Sequence, residues 1–437
     1  MGLRRRIAAS FVAAAVMAVS VASTAAARPS GDFYDPPAQL PAEPGQIIRS
    51  EAFTPAVPAI GDSGLEAATA LRIMYRSNDT HGDPLAVTGS YFEPIASWRG
   101  PGPRPLIVVA PGTVGQGPQC APSKLFGDLA HYQPPFDFMT AYEATTVYPL
   151  LALGAAVVMT DYDGLGMPGV HDYVNRLAEA HAVLDSARAA RNLPDAEITE
   201  RTPIVLFGYS QGGQASAAAA ELHSAYAPDL NIVGAYAGGV PADLRANFAG
   251  GSIDSGPLAG AGGATGLIGY FLNGVYADYP QIRPEIDRML NDAGWAMLRA
   301  AAGMCIPETT LRFGWHPSNE FTSNAMSFSE WIANSPLLGE IVDEQRLGGA
   351  IPDMPVLLMN STSDDVMPFE PVRRLAQQWC ARGATVQLTA IDSVPSLLPS
   401  SGLSHSLADL PAMIDARDWI MRLLSGAPAP SDCTDLP

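Results

Sequence analysis

The feature that most constrains the fold is a short apolar segment that runs directly into a serine framed by glycines. Residues 203–207 (PIVLF) are typical of a buried strand, and the next residues, Gly208 to Gly212, match the pattern G-x-S-x-G around Ser210. The alanine-rich stretch Gln214–Ala225 then predicts a helix. A strand, a tight turn and a helix in this order expose the serine hydroxyl and point helix amides towards it. This arrangement predicts a nucleophilic serine.

Strand patterns and helix patterns alternate along most of the chain. Beside the strand before Ser210, strands are predicted at 71–77, 85–92, 105–111, 155–161, 232–237, 355–360 and 386–391. A helix is predicted at 172–191. Such alternation favours an α/β architecture with a mostly parallel sheet covered on both faces, and with the serine turn it indicates an α/β-hydrolase fold.

Residues 242–349 carry no convincing strand pattern and are predicted to form an inserted helical cap. Helical periodicity near 281–303 and 327–343 supports this interpretation. The core is then expected in two parts, 64–241 and 350–437. The apolar opening of the cap fits either a lid or acyl tunnel, or ordinary packing against the core; its residues are Leu258, Leu267, Ile268, Tyr270, Phe271 and Leu272.

The N-terminal residues 1–27 are predicted to be a signal peptide. Three arginines at positions 4 to 6 precede an apolar run of small residues, and Ala25 to Ala27 offer a cleavage site. Residues 28–63 are rich in proline and predict an extended arm that lies on the domain. The signal peptide predicts a protein that is exported to the cell envelope or the medium.

Charge and cysteine usage narrow the classes of partner. The formal net charge is −19, and removal of the predicted signal peptide would take away three arginines and no acids. Such acidity argues against nucleic acid as a partner. The sequence has no metal-binding spacing and no phosphate-binding glycine loop, so no cofactor is expected. In an exported protein, the four cysteines predict two disulfides, although spacing alone does not choose their pairing (Cys120, Cys305, Cys380 and Cys433).

A nucleophilic serine needs a base, and chain order selects among the histidines. In α/β-hydrolases the acid and then the histidine follow the serine, which leaves His223, His316 and His405. His223 falls on the helix after the serine, where a surface position is expected, and His316 falls in the cap. His405, in a loop after the last strand, is therefore the predicted base.

The acid is expected just past the strand at 355–360, where two aspartates are adjacent. Asp364 lies four residues before Pro368, an offset that resembles the acid loops common in this fold. It is preferred, and Asp365 remains the alternative. The role of the acid would be to hold the imidazole tautomer and to stabilise the imidazolium.

The oxyanion hole is expected to use two backbone donors. One is the N–H of Gln211, the residue after the nucleophile. The second is expected either from the turn at 112–115 or from Asp161 at the end of the next strand.

These residues resemble those of the secretory lipases typified by Candida antarctica lipase A. The likeness rests on Gly208–Gly213, Tyr226–Ala235, Cys120–Ser123 and Asp364–Phe369, and it extends over nearly the whole chain after residue 27. It implies an α/β-hydrolase core with a helical cap, and hydrolysis of acyl esters including triacylglycerols. Carried onto this sequence, it implies a triad of Ser210, Asp364 and His405, Asp161 as the second oxyanion donor, and the disulfides Cys120–Cys305 and Cys380–Cys433.

One residue departs from the pattern of Candida antarctica lipase A, since Gln211 stands where that lipase has glycine. A backbone donor survives this change, but we expect the bulkier side chain to alter which acyl group fits. The expected partner is an acyl ester or lipid, with transient contact at a lipid interface. Two alternatives remain: acyl transfer to a cell-envelope acceptor, and a lipid-binding protein that keeps the fold without catalysis.

Overall fold

The computed structural model describes residues 32–56, 68–250, 264–397 and 401–436. The predicted signal peptide, the end of the predicted arm and most of the glycine-rich opening of the cap lie outside these ranges. The strands are Ile47–Phe53 (β1), Ala68–Asn78 (β2), Pro84–Pro94 (β3), Leu106–Ala110 (β4), Ala130–Gln133 (β5), Asp137–Thr140 (β6), Ala156–Thr160 (β7), Ile204–Tyr209 (β8), Ile232–Gly238 (β9), Val356–Ser361 (β10) and Val386–Ile391 (β11). The helices are Pro122–Asp128 (α1), Ala144–Ala152 (α2), Arg176–Asn192 (α3), Gln211–Tyr226 (α4), Leu244–Gly250 (α5), Ala264–Asp278 (α6), Arg283–Met289 (α7), Asp292–Ala301 (α8), Ile306–Phe313 (α9), Phe328–Asn334 (α10), Pro336–Glu344 (α11), Phe369–Ala381 (α12) and Leu403–Leu424 (α13).

Nine strands form one sheet in the order β1-β2-β3-β7-β4-β8-β9-β10-β11. From β7 to β11 all neighbouring strands are parallel, whereas β1, β2 and β3 add to one edge in antiparallel fashion. The prediction of a mostly parallel sheet in an α/β fold is therefore confirmed. Strands β4 and β8 are central neighbours, so the turns at their carboxyl ends meet at one edge of the sheet.

The sheet is covered on both faces, and the side chains of β4 explain why its sequence is continuously apolar. Leu106 and Val108 pack into the layer that contains α3, α4 and α12. Ile107 and Val109 point to the opposite face, where α2 and α13 pack. Alternate residues of a strand point to opposite faces, so a strand buried on both sides needs apolar residues at every position.

Three parts of this fold differ from expectation. The predicted arm contains an edge strand, β1, which pairs with β2; the prolines on either side of it concealed its pattern. A separate hairpin, β5–β6, was not predicted at all. Helix α3 begins at Arg176, four residues later than expected, because the side chain of Asn175 caps it by accepting from the amides of Leu177 and Ala178.

The cap is helical in its described residues, 242–250 and 264–349, which form α5 to α11 and contain no strand. Ile268, Tyr270, Phe271 and Leu272 are buried in the cap's own apolar core, which favours the packing interpretation for these four residues. Leu267 instead lines the cavity next to Ser210. Leu258 lies outside the described residues.

Two disulfides fasten the structure, and they join the pairs that the family resemblance implies. Cys120–Cys305 joins the core to the cap directly before α9. Cys380–Cys433 joins the end of α12 to the C-terminal segment. Within the described ranges, no helix has both the length and the apolar character needed to cross a membrane.

Candidate active site

The turn between β8 and α4 holds Ser210 in an unfavourable backbone conformation, with φ 61° and ψ −123°. Close packing imposes this conformation. A Cβ on Gly208 would lie 2.0 Å from the carbonyl oxygen of Gly212, and a Cβ on Gly212 would lie 1.9 Å from that of Ala110. Neither glycine can therefore carry a side chain. The G-x-S-x-G pattern is a steric requirement of this turn, and the turn presents the serine hydroxyl at the sheet edge.

Three predicted residues form a continuous line of hydrogen bonds. The Nε2 atom of His405 lies 2.9 Å from Oγ of Ser210. Its Nδ1 atom lies 2.7 Å from Oδ2 of Asp364. The other oxygen of Asp364 accepts from the amides of Val366 at 3.0 Å and Met367 at 2.7 Å. This arrangement places the Nδ1 proton towards the carboxylate and leaves Nε2 free to accept from the serine hydroxyl.

Burial and charge act in opposite directions on His405. Burial disfavours the imidazolium, but the neighbouring carboxylates, with Asp364 first, outweigh it and raise the pKa of His405 above its usual value. The residue lies in the first turn of α13 and not in the loop before it.

The adjacent aspartate has a separate structural role. Oδ2 of Asp365 accepts from the amides of Ser401 and Gly402, both at 2.9 Å, and its Oδ1 accepts from the amide of His405 at 3.0 Å. These amides belong to the start of α13, where backbone donors have no partner within the helix. Asp364 thus contacts the imidazole ring, whereas Asp365 holds the backbone that carries it.

The other two candidate histidines lie away from Ser210. His223 is buried, with Nδ1 2.7 Å from Oδ1 of Asp353 and Nε2 3.0 Å from the carbonyl oxygen of Leu230. The expected surface position of His223 is therefore wrong, because the segment before β9 covers this end of α4. His316 is in the cap and pairs with Glu320 at 2.8 Å.

Asp161 is not an oxyanion donor, and this expectation is wrong. Its amide donates to the carbonyl oxygen of Thr88 at 2.8 Å, continuing the pairing of β3 with β7. Its carboxylate accepts from Oγ1 of Thr88 at 2.7 Å and from the amide of Ser123 at 2.8 Å. The residue is fully buried, and its amide is committed to the sheet.

The alternative turn, residues 112–115, does reach the cavity. Gly112 and Thr113 both line it beside Ser210. The amide of Gly112 already donates to Oε1 of Glu143 at 2.8 Å. The amide of Thr113 is therefore the stronger candidate for the second donor, alongside the amide of Gln211 at the start of α4.

The Gln211 side chain points away from the cavity. It is buried, and its Nε2 lies 2.8 Å from both Nε2 of His171 and Oε1 of Glu179. Gln211 is absent from the cavity lining. The expectation that this side chain shapes the acyl pocket is therefore wrong.

The cavity at Ser210 has a volume of about 710 Å³ and a largely apolar wall, contributed in part by Phe138, Phe207, Leu267, Ile306, Leu311 and Met367. Two carboxyl groups also line it. Burial raises the pKa of Glu143 to about 7 and that of Asp409 to about 6. No cluster of three or more potential metal ligands occurs in the ranges that the structure describes.

Sequence reasoning missed both carboxyl groups. Asp409 lies four residues after His405 on α13, so helical spacing contains a usable signal for it. Glu143 precedes α2 and reaches the site only through the fold, and no sequence pattern points to it.

Residues 132–432 match the model of the Secretory lipase family, which is more than half of the chain. The chain belongs to the secretory lipase family. This secretory lipase is 30% identical, over 366 residues, to a probable inactive lipase of Mycobacterium tuberculosis, covering 82% of this chain and 76% of that protein. It is 27% identical over 414 residues to a secreted triacylglycerol lipase of Malassezia furfur, covering 92% of this chain and 77% of that protein.

A crystal structure of Candida antarctica lipase A shares the fold. The two structures align with a TM-score of 0.70 at 21% identity, covering 90% of this chain and 84% of that one. The predicted family and the predicted α/β-hydrolase fold are confirmed. The secretory lipase is thus an ester hydrolase by family.

Proposed function

We propose that this secretory lipase is exported and hydrolyses acyl esters of lipids, triacylglycerols among them, through an acyl-enzyme on Ser210. The observation that carries the proposal is the hydrogen-bonded line from Asp364 through His405 to Ser210, which opens on a largely apolar cavity. The relatives add support, because one of them is a secreted triacylglycerol lipase. Two disulfides are consistent with an oxidising compartment.

The proposed mechanism has two acyl-transfer steps. Nε2 of His405 takes the proton from Oγ of Ser210 as that oxygen attacks the ester carbonyl carbon. The tetrahedral oxyanion accepts hydrogen bonds from the amides of Gln211 and Thr113. The imidazolium, stabilised by Asp364, returns the proton to the departing alcohol. Water then attacks the acyl-enzyme by the same route and releases the fatty acid and free Ser210.

The surface around the cavity favours a lipid over a small soluble ester. Large apolar side chains that are 45% to 66% exposed occur on three elements that also contribute to the cavity wall: the β5–β6 hairpin, α9 with the residues just after it, and α13 as far as Ile414. We call this surface the apolar rim; it consists of Tyr132, Phe136, Phe138, Leu311, Trp315, Leu403, Leu407, Leu410 and Ile414. Phe138 and Leu311 belong to both the rim and the cavity wall, and α13 contributes His405, Ser406 and Asp409 to that wall.

The α13 part of the rim is one helical stripe. Leu403, Leu407, Leu410 and Ile414 are spaced by four, three and four residues, which places them on one side of the helix. Large exposed apolar patches mark contact surfaces. The acidic chain would be repelled by anionic lipid, so a neutral or zwitterionic lipid surface is the expected contact.

The decisive test compares the wild-type enzyme with Ser210→Ala. We expect the wild type to hydrolyse p-nitrophenyl esters over a series of chain lengths and emulsified trioctanoin, and to be labelled by a fluorophosphonate. Ser210→Ala should lose all three signals while its thermal unfolding remains cooperative. A folded wild type that neither turns over esters nor takes the label would contradict the proposal and favour a lipid-binding protein without catalysis.

A second comparison separates a lipase from an esterase. In the double variant Leu407→Asn/Leu410→Asn, both changed side chains belong to the rim and lie outside the cavity wall. Activity on the emulsion should fall, whereas kcat/KM on soluble p-nitrophenyl butyrate should stay the same. If the activity of the double variant relative to the wild type is the same on both substrates, the rim is removed from the proposal. Product analysis with added alcohol would show whether an acceptor other than water competes for the acyl group.

A further inference from the structure

The side chain of Gln211 occupies a buried hydrogen-bond network directly behind the serine turn. Its Nε2 group lies 2.8 Å from Nε2 of His171 and 2.8 Å from Oε1 of Glu179. The same Glu179 oxygen accepts from the amide of Val174 at 3.0 Å. Gln211, His171 and Glu179 are each at most 2% exposed. This network belongs to the site described above but takes no part in the steps proposed so far.

The hydrogen-bond directions in this network are determined by its neighbours. Nδ1 of His171 lies 2.8 Å from the carbonyl oxygen of Asp163, which can only accept, so the ring proton is on Nδ1. Burial lowers the pKa of His171 to about 4, so the ring is neutral and its Nε2 accepts. The two hydrogens of the Gln211 amide group are therefore both used, one by His171 and one by Glu179. A glycine at this position could make neither bond.

His171 lies on a loop, residues 162–173, that also contacts the segment carrying Thr113, the other candidate donor. The ring of His171 stacks on that of Tyr162 at a centroid distance of 5.8 Å and an interplanar angle of 16°. The hydroxyl of Tyr162 donates to the carbonyl oxygen of Pro111 at 2.8 Å. The hydroxyl of Tyr173 lies 3.1 Å from Oγ1 of Thr113. The loop from Tyr162 to Tyr173 thus touches both sides of the expected oxyanion hole.

We propose that His171 and Glu179 are positioning residues, which hold the amides of Gln211 and Thr113 at the separation that an oxyanion requires. The physical reason lies in the turn itself. Ser210 has strained backbone dihedrals, so the first residue of α4 needs an anchor outside the helix to resist relaxation. The network supplies that anchor through a side chain. The inference rests on the proposed function and assigns a role to the buried side chain of Gln211.

The first test is Gln211→Met, which keeps the length of the side chain and removes both donors. Complete loss of an oxyanion donor lowers kcat by about 10²–10³. A donor that is present but displaced should lower kcat less, by about tenfold. We expect KM for p-nitrophenyl butyrate to change by less than about twofold, because the ground-state ester makes little use of this donor. Labelling by a fluorophosphonate should slow by the same factor as kcat, since its phosphoryl oxygen needs the same donors.

The matched control is Gln214→Met, one turn further along α4. Gln214 is also fully buried, and its Nε2 donates to the carbonyl oxygen of Gln345 at 3.1 Å. It lines no part of the cavity. The substitution removes a buried amide of the same kind, so it should lower the unfolding temperature and leave kcat unchanged. An equal fall in kcat for both variants would overturn the inference and indicate a general packing effect.

A second pair of variants tests the network if Gln211→Met does not fold. Glu179→Ala removes the acceptor and is expected to lower kcat by about tenfold, by the same partial loss of donor geometry. Glu179→Gln keeps an acceptor oxygen and should recover most of that loss. Equal kcat values for the two variants would refute a positioning role. The proposed function fails separately, if the folded wild type hydrolyses no ester, and the inference would fall with it.

Discussion

The two disulfides should differ in their effect on catalysis although they differ little in their effect on stability. Cys120–Cys305 encloses a sequence separation of 185 residues, and Cys380–Cys433 encloses 53. The loop-entropy model assigns about 5 kcal/mol of stabilisation to the first and about 4 kcal/mol to the second. Replacement of either pair by alanine should therefore lower the free energy of unfolding by a few kcal/mol, with a difference of only about 1 kcal/mol between the pairs.

The effect on activity depends on where each disulfide lies. Cys305 directly precedes α9, and the amide of the next residue, Ile306, donates to the carbonyl oxygen of Val114 at 2.9 Å. Ile306 and Leu311 of α9 form part of the cavity wall. Loss of Cys120–Cys305 should therefore loosen the wall.

Cys380–Cys433 lies elsewhere. Cys380 is at the end of α12, about 17 Å along the helix axis from Phe369, the first residue of that helix, which follows the loop carrying Asp364. Neither Cys380 nor Cys433 lines the cavity. Its loss should leave the site intact.

The assay compares Cys120→Ala/Cys305→Ala with Cys380→Ala/Cys433→Ala. Urea unfolding followed by tryptophan fluorescence measures the stability of each, and kcat/KM on p-nitrophenyl butyrate is measured at urea concentrations where both remain folded. We expect kcat/KM to fall by up to about 10²-fold in the first variant, because a misplacement of about an ångström at a site can cost that much. The second variant should change by less than about twofold. Equal losses, or full activity in the variant without Cys120–Cys305, would refute the assignment of that disulfide to the cavity wall.

Four further substitutions test the site. Gly212→Ala would place a Cβ 1.9 Å from the carbonyl oxygen of Ala110, at the end of β4. We therefore expect loss of fluorophosphonate labelling and a lower unfolding temperature by circular dichroism. A stable, active variant would contradict the steric requirement. Asp364→Asn should lower kcat by about 10⁴, as loss of the tautomer-holding acid does in serine proteases, and Asp365→Asn should lower it far less; the reverse order would exchange their roles. Asp409→Asn removes a carboxylate that raises the pKa of His405. Because the base must be neutral to accept a proton, activity is lost as pH falls through the pKa of His405. The acid limb of the pH profile of kcat/KM should therefore move to lower pH in the variant. An unmoved limb would exclude Asp409 from this role.

Local sequence patterns were sufficient to predict the serine turn and the order of its partners. The turn could be recognised because its constraint is steric and short in range: Gly208 and Gly212 meet within five residues. His405 and Asp364 followed from chain order, since the fold places the acid and base turns after strands on one side of the nucleophile. The structure brings these residues within hydrogen-bond distance of one another. Family resemblance, not spacing, indicated the cysteine pairs.

The tertiary structure alone decided how the residues around Ser210 are used. Asp161 and the turn at 112–115 both follow parallel strands at the same sheet edge, so the sequence offers no means of choosing between them. Pairing with Thr88, 73 residues away in sequence, commits the amide of Asp161 and leaves the other turn facing the cavity. The direction of the Gln211 side chain was likewise decided by contacts with His171 and Glu179, on a loop and a helix that precede it. Hydrogen bonds between distant segments determine which polar groups remain available to a substrate, and such bonds exist only after the chain has folded.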